Sequence, residues 1–120
     1  MPIADANPVY PANLTVTVGA NQLVAIGGDS SSAVQRNASS TVQSNQVLQV
    51  GKDLQVTVGK NVVLRAGDSI SIVCGAASLT LKKDGSIVIK GKDITLDASG
   101  KLNAKASGDT TIKGGKILNN

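Results

Sequence analysis

Acid–base or nucleophilic chemistry in this chain would have to come from Asp, Lys, Ser, Thr and a single Cys. Its 120 residues include no His, and all eight acidic residues are Asp. A general base of the usual imidazole kind is therefore missing. The hydroxyls and carboxylates are plentiful but recur at regular positions, where turn-forming and solvated roles account for them. No nucleophile elbow or phosphate loop is present. Without His and with only Cys74, one chain cannot assemble the usual zinc or transition-metal ligand set. The expectation is a non-enzyme with no catalytic, cofactor or metal residues. Three copies of Cys74 around an axis could gather a metal, but a small buried hydrophobe is the plainer role.

The elements that would position any site are shaped by an unusual composition. The chain has no Trp or Phe, one Tyr (Tyr10), 13 Gly and a net charge of +4. Glu is absent, while Val, Thr, Ser, Asn and Gly are common, which favours strands and turns over long helices. No apolar run approaches the ~18 residues that span a bilayer. The first eight residues lack the basic start and apolar stretch of a secretory signal. One Cys allows no internal disulfide. A compact monomer almost without aromatics would struggle to bury enough surface.

An eight-residue repeat organises the rest. Gly51, Gly59, Gly67 and Gly75 stand eight apart, with Gly19, Gly27, Gly91 and Gly115 in the same phase. An apolar or small residue precedes the position: Val18, Ile26, Val34, Val42, Val50, Val58, Ala66, Cys74. Asn or Asp stands two residues after it at Asn13, Asn21, Asp29, Asn37, Asn45, Asp53, Asn61, Asp93 and Asp109. Gly accepts unusual backbone angles and Asn or Asp bonds its own backbone, so this part of the unit is a corner. Leu54, Val56 and Val58 alternate with Gln55 and Thr57, the period-two pattern of a half-buried strand.

Each octad therefore supplies one short strand and one corner. A single-chain solenoid needs ~20 or more residues per coil to enclose a core. Three chains, each giving one face, would close a triangular prism. Each chain then advances one strand spacing, ~4.8 Å, per octad, and about thirteen octads make a shaft of roughly 60 Å. Intertwining would also pair every internal strand edge.

Departures from the repeat carry expectations of their own. From Ser30 to Ser44 the strand positions turn polar, and only Val34 and Val42 keep the apolar mark. That suits either a narrow segment with small side chains near the axis or a wet core holding water or an anion. The apolar pair then changes phase: Ile70/Ile72, Leu79/Leu81, Ile87/Ile89, Ile94/Leu96. The shift predicts a bulge or wider corner near Gly75-Ala76-Ala77 and an extended corner at Lys82–Gly85. Asp84-Gly85 would alternatively close a hairpin. Beyond Gly100 the apolar residues become small, as in a taper. Residues 51–120 carry eleven Lys/Arg against six Asp, and residues 1–50 carry Arg36 against Asp5 and Asp29. The basic half is either a solvated coat or a surface for anionic lipid or lipopolysaccharide. No aromatics interleave the lysines, so nucleic acid is not an expected partner.

These tandem Val-Gly-Lys-Asp/Asn octads resemble the C-terminal β-helix of VgrG, the spike of type VI secretion. They are also similar to the cell-puncturing spike of contractile-tail bacteriophages. Ala66–Gly75, Ser78-Leu-Thr-Leu81 and Asp84–Gly91 look like the distal part of VgrG proteins, and Ile112–Asn119 is similar to their closing strand. The resemblance covers about residues 10–119. It implies an all-β fold: an intertwined homotrimeric triple-stranded β-helix, or β-prism, built on octapeptide repeats. Residues 1–9 would be a lead-in segment and residues 10–120 the spike.

What the resemblance implies for function is mechanical. In the family, N-terminal baseplate-like and OB-fold domains join the spike to the sheath and tube, and their absence here suggests a piece of a longer protein. The C-terminal end docks a PAAR-repeat tip protein, often with an effector. On this chain the corresponding platform would be Gly114, Gly115, Lys116, Ile117 and Leu118. The chain lacks the His cluster with which some phage spikes hold iron, which favours a separate cap. The implied location is the bacterial cytoplasm before firing, then the target cell envelope, with transient contact with its membrane. Alternatives are a phage tail central spike and a trimeric adhesin or receptor-binding stalk.

Overall fold

A computed structural model describes residues 7–120. Most of the expected lead-in segment, residues 1–6, lies outside the described residues. The chain divides into two units, Met1–Lys52 and Asp53–Asn120.

In the first unit the backbone bends at residues 11–12, 19–20, 27–28, 35–36, 43–44 and 51–52, eight residues apart each time. Three of these six bends have no Gly: Pro11-Ala12, Gln35-Arg36 and Gln43-Ser44 show that the corner does not need a glycine at every turn. The common element is the Asn or Asp one residue further on, whose side chain favours turns. The described part of this unit contains no helix and no paired strand.

In the second unit the rhythm continues with bends at 59–60 and 67–68, then gives way to a three-stranded sheet. Its strands are β1 (Ser69–Cys74), β2 (Ala77–Lys82) and β3 (Ile87–Lys90), in the order β1-β2-β3. Both pairings are antiparallel. Bends resume at 92–93, 99–100, 107–108 and 115. The regular structure is thus all-β, and the octad corners expected from the sequence are physical bends in the backbone.

Two local expectations are corrected here. Gly75-Ala76 is not a bulge or wide corner but a two-residue hairpin turn, with Cys74 opposite Ala77. Gly75 has φ +56°, and no other residue of the turn has positive φ. Glycine first and an ordinary residue second is the type II′ arrangement, which matches the twist of paired strands. The expected extended corner at Lys82–Gly85 is likewise a hairpin loop, the alternative that Asp84-Gly85 offered. The Gly85 amide donates to the Lys82 carbonyl at 3.0 Å, and the Lys82 amide donates to the Ser86 carbonyl at 3.0 Å. With Gly85 at φ +93°, this is a turn closed by a glycine bulge. Across residues 69–90 the chain folds back on itself instead of giving one strand to each face.

The third finding is what the chain lacks. Among the described residues, no side chain is buried, and outside the sheet and its loop no backbone amide bonds a backbone carbonyl of the same chain. The chain exposes 13477 Å². A compact monomer of this mass would expose about 6,000 Å², and the unfolded chain about 17,500 Å². A lone copy therefore has strands in outline but no core.

The two glycine environments give a direct comparison. A methyl at Gly67 or Gly75 meets nothing within 4 Å in its own chain, yet only Gly75 has positive φ. Gly75→Ala is expected to cost ~1–2 kcal/mol relative to Gly67→Ala, because the left-handed region penalises any Cβ. Thermal melts of the two variants, run side by side on the assembled protein, check the order.

Candidate assembly surface

The pairing register decides what the sheet presents. Ile70 faces Leu81, which faces Ile87; Ile72 faces Leu79, which faces Ile89. Side chains alternate across a strand, so these six share one face in two cross-strand rows. Cys74 and Ala77 extend that face at the β1–β2 turn. The opposite face carries Ser69 with Lys82, Ser71 with Thr80 and Val88, and Val73 with Ser78 and Lys90. One side is wholly uncharged and the other is mostly polar, with two lysines.

The apolar side is largely open to solvent, with Ile70 and Leu79 half-buried. Ile72 is 56% exposed, Ile87 64% and Ile89 61%, although they are the residues the alternation marks for a core. The octad residues behave alike: Val50, Val58, Leu54 and Val56 are all exposed. A contiguous exposed apolar face of this kind marks an interaction surface.

The loop between β2 and β3 is pinned to the corner that precedes β1. The Lys83 amide donates to the Asp68 carbonyl at 3.0 Å, and Lys83 Nζ lies 3.3 Å from Asp68 Oδ1. Both side chains are largely in water, so the ion pair itself contributes ~0–1 kcal/mol. Asp84 Oδ1 accepts the Ser86 amide at 3.0 Å. That bond, with a further bond from the Ser86 side chain, holds the Asp84 carboxyl below its ordinary value. A cleft of about 100 Å³ lies beside this corner, lined by residues including Ala66, Ile70, Leu81 and Lys83. Small-molecule sites run to ~300 Å³ or more, so the cleft suits a few waters.

Gly114, Gly115, Lys116, Ile117 and Leu118, the residues expected to meet a tip partner, lie in an exposed segment with a single bend at Gly115. Ile117 and Leu118 are exposed. They are sequential neighbours rather than residues gathered from several elements. Cys74 is exposed, on the apolar side of the sheet. Among the described residues, no three Asp or Cys side chains cluster as a cation site. Sequence reasoning missed the apolar face as a unit. Its signal was the nine-residue step from Ile70/Ile72 to Leu79/Leu81 around a Gly-Ala pair.

No protein-family model matches the chain. A segment of 28 residues, 23% of the chain, is 68% identical to the type VI secretion system spike protein VgrG1b of Pseudomonas aeruginosa. The chain spans 4% of that relative's length. The similarity is high in identity but local.

The Asp84 bond gives a pH expectation. Its carboxyl is held low in the folded loop, so the ionised form stabilises the fold. That contribution is complete above the ordinary carboxylate value of ~3.9 and is lost as pH falls through the lower folded value. Carbon-detected NMR titration should place the Asp84 midpoint below ~3.9, and Ser86→Pro, which removes the donor, should raise it.

Proposed function

We propose that this chain is a structural spike segment of a contractile injection system of the type VI kind, working as a homotrimer. The observation that carries the reading is the coreless single chain: octad bends, alternating apolar strands and, among the described residues, no buried side chain. Such a chain gains a core and a hydrogen-bond ladder when other copies supply the missing faces. The short identity with a VgrG spike protein supports the same reading.

In this reading the three chains wind into a triangular β-prism whose axis is lined by Val, Ile, Leu and Ala. Function lies in stiffness and narrow section. Force comes from a contracting sheath, and the prism transmits it to the target envelope. The chain itself performs no catalysis. Its Ser, Asp and Lys side chains serve corners and the solvated coat. Gly114–Leu118 would carry a PAAR-repeat tip protein with its effector, Ile117 and Leu118 supplying apolar contact. The protein would reside in the bacterial cytoplasm before firing and reach the target envelope afterwards.

Light scattering behind size exclusion tests the assembly. The expected mass is about three times the 12.1 kDa chain, with resistance to detergent. A compact 12.1 kDa monomer would withdraw the reading. For the tip, Ile117→Asp with Leu118→Asp should abolish capture of a PAAR-repeat protein without changing that mass.

A further inference from the structure

The octads that would build a prism share one weakness, and the sheet answers it. Val50–Thr57 and Val58–Arg65 share Val-Gly-Lys, an Asp or Asn after it, and apolar residues at the fifth and seventh positions. Within this stretch, three chains that slip by one octad would still match apolar to apolar and corner to corner. Period-two patterning fixes which face is buried but not which octad meets which. Something non-repetitive must set the stagger.

We propose that the β1–β2–β3 sheet is the element by which copies of this chain recognise one another and take register. The occupant of its apolar face is the same face of two further copies. The proposal rests on the trimeric reading above and adds where assembly begins.

Five observations support it. The sheet and its loop hold all the backbone–backbone hydrogen bonds that the described residues make within the chain. It is therefore the one described part able to form before copies meet, through two short loops of low closure cost. Its two faces differ: six aliphatic side chains on one, Lys82 and Lys90 on the other. Copies that approach in the wrong orientation bring lysines against an apolar surface, which costs desolvation.

The strand count also fits. Three strands are an odd number, so the chain leaves β3 in the direction in which it entered β1, and the bends resume at 92–93. The rise fits as well. Within the sheet the chain moves ~4.8 Å per strand, and successive strands are eight or nine residues apart by their centres. Three interleaved chains advance by the same ~4.8 Å per octad. The copies can pass from interleaved octads to three self-paired sheets and back without changing cross-section or falling out of step.

The area agrees with further copies as the occupant. Each chain exposes about 7,500 Å² more than a compact monomer of its mass would. A standard interface covers only ~800 Å² per partner.

Two experiments on the full chain test this. The first compares Leu79→Asp with Thr80→Asp, neighbours on β2 whose side chains lie on opposite faces. Leu79→Asp should reduce the assembled mass to that of one chain, and Thr80→Asp should leave it unchanged. Equal assembly by both, or equal failure of both, overturns the proposal. The second is pulse-labelled hydrogen exchange during refolding of the unaltered chain. Amides of β1, β2 and β3 should gain protection first, in a phase unaffected by tenfold dilution. Amides of residues 53–66 should follow in a phase that dilution slows. Protection of both segments in one concentration-dependent phase overturns the register role while leaving the trimer intact. A mass other than three chains removes the trimeric reading instead, so the two failures are distinguishable.

Discussion

Backbone hydrogen bonds without partners in their own chain are the constraint on which the rest of this structure depends. A strand saves its amides and carbonyls from competition with water only when a neighbour lies alongside. Here the described residues outside 68–90 have no such neighbour in the chain. The apolar side chains follow the same logic. Val, Ile and Leu alternate with polar residues as though one side were covered, yet none of the described ones is buried. On the proposed trimeric reading, both deficits would be repaired by the same event, the arrival of strands from other copies.

The sheet at residues 69–90 is the local exception, and its chemistry explains why. A chain can pair with itself only where it can reverse tightly. Gly75 and Gly85 supply the two positive-φ residues that do so. Asp84 caps the second turn through the Ser86 amide, and Asp68 ties that loop to the entry of β1. Elsewhere the bends redirect the chain without reversing it, so no self-pairing follows.

Much of this was legible in the sequence. The corners were readable because glycine, Asn and Asp have local reasons to bend a backbone, and those reasons act without tertiary context. The strand faces were readable from alternation. Direction was not: Ile72 and Leu79 occupy the same face whether the chain turns a corner between them or doubles back, so periodicity cannot distinguish the two. The Asp84-Gly85 pair did carry the hairpin signal, while Gly75-Ala76 was masked by standing in phase with the corners. The proposed tip surface was the least legible part. Gly114–Leu118 is a run of ordinary residues, and its meaning would lie in a partner's shape rather than in its own.

The regular eight-residue spacing of the bends has a consequence for how such a chain can change over generations. Adding or deleting one whole unit between the bends at 27–28 and 67–68 leaves every later residue on its former side. An insertion of odd length within a strand moves the residues after it to the opposite side as far as the next bend. On the proposed prism reading, reach would therefore be inherited in fixed increments, tuned by duplication or loss of a unit without inventing a new fold.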